Sequence, residues 1–501
     1  MTDRLISVGK IKPKTAKDVK YSRFGVGFEK LDRDVFDPEK AYAGLAGIGV
    51  KRARLQSGWQ RTERQKGVYD FAWLDSVVDN LLAIGVEPWL CFCYGNDLYS
   101  EEAKQIYGAV GVPPIYTEEE KTAWRNYVQA TVRRYKGKIH YYEVWNEPDG
   151  LWRRKNPFLT PEQVKAEEEK YAAMTPAMAE RTRNVANGWE YAKFTTDTAL
   201  ACKEADPTCE VIGLALAFRR DFAAGFCAAG GLEHIDAVTY HSYNLDEGTW
   251  VSKMQYIRDL LIQHKRTDIK IIQGESGTQS RPDGHGALMG GAWTPLKQSK
   301  YLLRHLITDM GLGVEFASYF SCVDMIEALD GTVGDKASYL DYGYFGVLGA
   351  DFDEEGRSVG TYSPKPAYYA LQNLCSALAE HFETCDLPVE GEVRESKRMR
   401  GQDADFNATS RFAFRRANGS RALFYWMPKD ILTETYEGTV TLRLKDEVRG
   451  QRILLTDMLD GTVYELGEYH TSEEGVLLNI PVKDSPYMLT FGDFFDWEET
   501  K

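Results

Sequence analysis

The sequence predicts an α/β chain built as a (β/α)8 barrel, the TIM-barrel class, followed by a small C-terminal antiparallel β-sandwich. Three observations predict it. Between Phe24 and His381, short apolar runs alternate with helical patterns, and eight such pairs occur in order. Past Cys385 the texture changes to two-residue alternation around turn dipeptides. The signatures that would favour a doubly wound sheet are missing. "GVGFEK" has Lys30 where G-x-G-x-x-G needs its third glycine, and no G-x-x-x-x-G-K-[ST] occurs.

"RFGVGFE" opens the series, and Arg52 to Gln56 reads as the second strand. Asp70 caps the next helix, in which Leu74, Val77, Val78, Leu81 and Leu82 recur at helical spacing until Gly85 stops it. "VEPWLCFC" is the third strand. Thr117 and Glu120 form a capping box for a helix that buries Trp124, Tyr127, Val128, Val132 and Tyr135 and ends at Gly137. "KIHYYEVW", "CEVIGLALAF", "IDAVTYH", "IKIIQGE" and "VEFASYF" are strands four to eight. Thr294 and Pro295 supply the N-cap and first-turn proline of the helix between the last two strands, which Gly311 closes, and "PKPAYYALQNLCSALAEH" is the eighth helix. Beyond it, "RFAFRRANGSRALFYW" and "ILLTDMLDGTVYEL" read as hairpins around Asn418-Gly419 and Asp460-Gly461, and "TVTLRL", "GVLLNIPV" and "YMLTFGD" add strands. The expected division is a segment 1–20, open to adding a strand to the β-domain, a barrel over 21–383, and the sandwich over 384–501.

The 501 residues exceed one ordinary core, in keeping with more than one domain. A net charge of −14 argues against nucleic acid or an anionic membrane as partner, since both need a basic face. "MTDRLISVGKIKPKTAKD" lacks the apolar core of a signal peptide, and no stretch of ~18 apolar residues occurs, so a cytoplasmic location is expected. The eight scattered cysteines read as reduced, mostly buried thiols. Neither H-E-x-x-H nor an EF-hand loop occurs, so neither metal nor cofactor is expected. The oligomeric state stays open, a homo-oligomer included.

Barrel enzymes carry their chemistry at the C-terminal ends of the strands. Glu147, in "YYEVWNEPDG", ends the fourth strand, and Glu275, in "IKIIQGESG", ends the seventh. On this scaffold both face the barrel mouth. Two carboxylates there meet the needs of glycosidic bond cleavage, one to protonate the leaving oxygen and one to attack the anomeric carbon, ~5–5.5 Å apart if configuration is retained. Trp145 and Pro148 give Glu147 an apolar collar suited to the acid.

Trp145-Asn146-Glu147-Pro148 with Glu275 resembles glycoside hydrolase clan A, the retaining (β/α)8 enzymes, across the whole barrel. "RTERQKGVYDFAWLD", "EVWNEPDG" and "SPKPAYYALQNL" look most like family 39, which includes β-xylosidases and α-L-iduronidase and typically adds a β-domain. The resemblance implies that Glu147 is the acid/base and Glu275 the nucleophile. It implies that Asn146 hydrogen-bonds the sugar 2-hydroxyl and that Arg54 keeps Glu275 ionised. His241 and Tyr243 match the clan's H-x-Y, with the tyrosine on the nucleophile and the histidine near the acid/base. Many clan members end strand eight with tryptophan, where this chain has Tyr319-Phe320.

Trp59, Tyr94, Trp152 and Trp293 lie at or beyond strand ends, where a ring can stack on a sugar, and Asn96 in "CYGND" is a candidate hydroxyl ligand. Tyr319 joins them as the residue in the tryptophan's place. Arg153-Arg154-Lys155 reads as a solvated patch or, more sharply, as a site for an anionic sugar. The long loop "GTQSRPDGHGALMGGAW" and the insertion from Ser100 to Ile115 offer material to block a cleft. The expected activity is hydrolysis, with retention, of β-linked oligosaccharides of β-xyloside, β-glucoside or β-galactoside type, acting from the chain end. Endo-action, a uronate substrate, transglycosylation and a non-catalytic carbohydrate-binding barrel remain as alternatives.

Overall fold

The computed structural model describes residues 5–152, 156, 158–329, 331–392, 409–433, 435–466, 470–472 and 475–499. Eight parallel strands close a barrel: Phe24–Gly27, Arg52–Gln56, Glu87–Phe92, Tyr141–Val144, Glu210–Leu216, Ala237–His241, Lys270–Ser276 and Ala317–Tyr319. Closure is direct, with Phe24 opposite Ala317 and Val26 opposite Tyr319. The strands are apolar and almost wholly buried because helices cover them outside and side chains fill them inside.

Local signals place the helices, with two corrections. The box of Thr117 and Glu120 starts Glu118–Arg134, and Thr294 caps Pro295–Leu312 by accepting from the Lys297 amide. Asp70 accepts from the Ala72 amide, but Leu82 on the helix Ala72–Ala83 is 37% exposed, on the solvent side of its stripe. Gly311 does not close its helix; Gly313, at φ 76°, does. A Cβ on Gly311 would stand 2.0 Å from the Phe412 ring, so this glycine answers to close packing against the β-domain. Two helices, Pro161–Ala172 and Pro176–Ala205, lie between the fourth and fifth strands.

The C-terminal region forms two antiparallel sheets. The larger runs Glu383–Thr384, Ser410–Arg415, Arg421–Trp426, Tyr487–Phe491, Ile453–Asp457, Thr462–Leu466, Leu5–Ile11 and Trp497–Glu499, so the start of the chain supplies one of its strands. The smaller contains Val389–Glu392, Glu437–Leu444, Gly475–Lys483 and His470–Ser472. Period-two alternation explains the layering: along Arg421–Trp426, Leu423 and Tyr425 enter the core between the sheets, while Phe424 and Trp426 join the barrel's apolar core. Polar contacts fix the same face. Arg304 grips Glu247 with Nε and Nη2 at 2.6 and 2.8 Å, and the Trp426 indole donates to that carboxylate at 2.7 Å. All eight cysteines are free thiols and seven are buried. Among the described residues no helix is long and apolar enough to cross a membrane.

Candidate active site

The backbone after the fourth strand is bent so that Glu147 faces the mouth. Trp145 at φ 66° and Glu147 at φ 46° both occupy the left-handed region, which costs about 1–3 kcal/mol per residue outside glycine. Surrounding structure holds them there. The Trp145 amide donates to the Phe92 carbonyl at 2.9 Å, and its indole donates to the Leu151 carbonyl. Its ring is wholly buried among Tyr94, Trp124, Trp152 and Phe194. The Asp149 carboxylate accepts from the amides of Ala217, Phe218 and Arg219, tying this loop to the fifth strand's exit.

Glu147 and Glu275 meet over His241. His241 Nδ1 is 2.8 Å from Glu147 Oε1 and 3.6 Å from Glu275 Oε2, and donor atoms of the three residues lie within 4.8 Å of one another. The carboxylates are 20% and 14% exposed, open enough to meet a ligand. Arg54 Nη1 donates to Glu275 Oε2 at 3.0 Å, and the Tyr243 hydroxyl donates to Oε1. Burial alone would push the Glu275 carboxyl up. The charges of His241 and Arg54, the Tyr243 hydroxyl and Lys30 outweigh it and hold the group below the usual carboxylate range. Burial likewise opposes charge on His241, yet the two glutamates raise its pKa.

Arg54 is a hub that the strand pattern does not reveal. Its Nε and Nη2 clasp both oxygens of Glu143 at 2.8 and 2.9 Å, Nη2 also donates to Asn146 Oδ1 at 2.9 Å, and Nη1 reaches Glu29 Oε1 at 3.2 Å. Glu143, two residues before Trp145, also accepts from the Trp89 indole at 2.8 Å. Burial pushes the Glu29 carboxyl up to about 7, against the pull of Arg54 and with the help of Glu275. On the far side of Glu275, buried Lys30 pairs with Glu327 at 3.3 Å and lies 5.0 Å over the Phe320 ring. Glu29, Glu143 and Glu327 were not singled out from the sequence, and Lys30 was read only as the break in a glycine motif. An acidic residue inside the apolar "YYEVW" run was the available signal for Glu143.

Arg54, Asn146, His241 and Tyr243 therefore converge with the two glutamates, and most of the other candidates do not. Tyr94 is 2% exposed and accepts a hydrogen bond from Asn146 Nδ2 at 2.9 Å, so it orients the amide instead of offering a ring face. Trp59 is fully buried, covered by stacked Tyr99 and Tyr127, with its indole on Glu63 at 2.6 Å. Asn96 is spent on its own loop, donating to the Glu63 carbonyl and accepting from the Leu98 amide. Trp152 packs on Trp145, Tyr191 and Phe194 and donates to Glu190. Trp293 is 2% exposed, with its indole on the Leu288 carbonyl, and Tyr319 is buried with its hydroxyl toward Thr278. Each ring lies at a strand end, but helices and loops cover it there. Arg153-Arg154-Lys155 lies outside the described residues.

Among the described residues, Glu147, His241 and Glu275 are also the one group of three donors spaced to hold a metal ion. The donor set fits a cation poorly, because the Arg54 guanidinium already occupies one oxygen of Glu275. The loops after the third, seventh and eighth strands are linked to one another. Tyr107, in the insertion after the third strand, stacks on Tyr339 at 4.2 Å, and its amide donates to the Gly331 carbonyl. In the loop after Glu275, the Ser280 and His285 amides donate to the carbonyls of Tyr344 and Tyr342.

No protein-family model and no curated protein matches the sequence. Solved structures do. A family 39 glycoside hydrolase from Bacteroides cellulosilyticus WH2 aligns over 94% of this chain and 80% of its own, with a TM-score of 0.61 at 15% identity. A monomeric β-xylosidase from Caulobacter crescentus CB15 aligns over 96% and 98%, with a TM-score of 0.56 at 16% identity. A GH30 endoxylanase from Clostridium papyrosolvens C71 aligns over 97% and 98%, with a TM-score of 0.53 at 11% identity. The chain shares with these glycoside hydrolases one fold, the (β/α)8 barrel joined to a C-terminal antiparallel β-sandwich.

Proposed function

We propose that the chain is a retaining glycoside hydrolase that releases single sugars from short β-linked oligosaccharides, with Glu147 as acid/base and Glu275 as nucleophile. The observation that carries this reading is the spacing of the two carboxylates, whose donor atoms lie within 4.8 Å. An approach this close, one oxygen from each, supports the ~5–5.5 Å carboxyl spacing of retaining enzymes over the ~6.5–9.5 Å spacing with which inverting enzymes make room for a water.

In the first step Glu147 gives its proton to the glycosidic oxygen as the bond to the anomeric carbon breaks, and a Glu275 oxygen bonds to that carbon. Glu147 Oε1 lies 2.8 Å from His241 Nδ1, a contact that orients the carboxyl. Arg54 and Tyr243 keep Glu275 anionic until it attacks. The ester that forms has lost this charge, so Glu147, now a carboxylate, takes a proton from water whose oxygen displaces Glu275. Asn146 spends one Nδ2–H on Tyr94 and its Oδ1 on Arg54, which leaves the second Nδ2–H for the sugar 2-hydroxyl. The mutual contacts of the loops after the third, seventh and eighth strands support action from a chain end, because linked loops beside the mouth are suited to block a cleft. A β-xyloside is the first substrate to test, because a β-xylosidase and a xylanase share this fold.

NMR of the sugar released from aryl β-xylosides, β-glucosides and β-galactosides tests the reading. The expected first product is the β-anomer. An inverted product removes Glu275 from the nucleophile's role.

A further inference from the structure

The sixth strand runs out into His241-Ser242-Tyr243-Asn244, which carries two residues of the reaction centre on backbone that has left the barrel. Side chains from the helices behind it hold three of its carbonyls. Lys253 Nζ donates to the His241 carbonyl at 3.3 Å, the Tyr301 hydroxyl to that of Ser242 at 3.0 Å, and the Trp250 indole to that of Asn244 at 2.9 Å. Trp250 and Tyr301 are fully buried and meet edge to face at 5.6 Å, so they are a fixed part of the packing. Lys253 differs. It is half-buried on the helix Glu247–Gln263, and among the described residues no carboxylate forms an ion pair with it.

The same ammonium lies 4.7 Å over the Phe218 ring, beyond the fifth strand. Phe218 holds φ 107°, a conformation that residues other than glycine rarely adopt, and the Asp149 carboxylate keeps it there by accepting its amide. Lys253 therefore joins the exits of the fifth and sixth strands and, through Asp149, the loop that carries Glu147. The charged and titratable groups around it are Asp149 and Glu147 from the fourth strand's exit, His241 from the sixth strand, and His305 from the helix Pro295–Leu312. Tyr256, one turn along its own helix, packs on the same Phe218 ring. Burial weakens the lysine's charge more than Asp149 and Glu147 sustain it, and brings its pKa down to about 8.

We infer that Lys253 is a positioning residue for both carboxylates: its ammonium, bonded to the His241 carbonyl, fixes the strand-six exit so that the His241 ring meets Glu147 and the Tyr243 hydroxyl meets Glu275. The inference rests on the glycoside hydrolase reading for the reaction it serves. A charge-assisted hydrogen bond is roughly twice as strong as a neutral one, so loss of the proton slackens the segment without unfolding it. A misplacement of about 1 Å costs about 100-fold in rate, so a partial slackening costs about tenfold.

Of the eight histidines only His241 precedes a serine. Isotopic labelling of histidine carbonyls and serine amides therefore gives the His241-Ser242 peptide a signal of its own in NMR of the full-length protein. That signal should move with a midpoint near pH 8, and the movement should be absent from Lys253→Met, which keeps an apolar stem over Phe218. Over the same range kcat/KM for a dinitrophenyl glycoside should fall about tenfold. This leaving group needs no proton, so Glu147 does not set that limb. Lys253→Met should run at the lower level at every pH, and Lys253→Arg, charged throughout, should hold the upper one. If Lys253→Arg does not fold, the limb in Lys253→Met still decides. A signal indifferent to Lys253→Met, or an alkaline limb that survives it, overturns the assignment. An enzyme inert toward every aryl glycoside, whose signal still follows Lys253, loses only the hydrolase reading. An active one whose limb ignores Lys253 loses only the positioning role.

Discussion

Tyr243→Phe isolates one source of the nucleophile's charge. The substitution removes only the hydroxyl that donates to Glu275 Oε1 and leaves the ring in place. Arg54 remains on Oε2 at 3.0 Å and still clasps Glu143, so no buried charge is stranded. A hydrogen bond to a charged group contributes about 1.5–3 kcal/mol. At about 1.4 kcal/mol per pKa unit, its loss raises the Glu275 pKa by roughly 1–2 units. The sign follows from the carboxyl being held low in the native protein. Attack needs the anion, so the acid limb of kcat/KM moves to higher pH. Activity near that limb falls by about 10- to 100-fold, while the plateau above it changes far less. A dinitrophenyl glycoside is the substrate of choice: its leaving group needs no proton, so the limb reports the nucleophile alone. A uniform loss at every pH, with the limb unmoved, would refute the assignment and place Tyr243 on the substrate instead.

The two glutamates should separate by rescue. Glu275→Ala should lose all turnover, while Glu147→Ala should still consume dinitrophenyl glycosides and, with azide, yield a β-glycosyl azide detectable by NMR. The same retained product from the Glu275 variant would mean that the roles are exchanged. The β-sandwich should act through stability and not chemistry. Gly311→Val brings a Cβ to 2.0 Å from the Phe412 ring and should lower unfolding free energy by about 1–3 kcal/mol in denaturant titration, with kcat nearly unchanged. A large fall in kcat without destabilisation would give that domain a catalytic part.

Much of the molecule was legible in its residues because the signals were local. Capping at Thr117 and Thr294, the turn at Asn418-Gly419 and the alternation along Arg421–Trp426 each depend on neighbours within a few positions. Strand order in a barrel follows chain order, so the eight apolar runs determined that Glu147 and Glu275 would face one mouth. What lies around those carboxylates was decided only by tertiary closure. Arg54 gathers Glu29, Glu143, Asn146 and Glu275 from three other strand regions, and no sequence spacing announces that convergence. Whether an aromatic ring is packing or platform is equally a matter of what covers it. Trp59 lies just past a strand end, where a sugar-stacking ring would, yet it is fully buried with Tyr99 and Tyr127 stacked on it. Gly311 reads as a helix stop until Phe412, a hundred positions later, arrives against it. Backbone periodicity is written residue by residue, whereas burial and charge pairing are properties of space, and the chain acquires them only when distant segments meet.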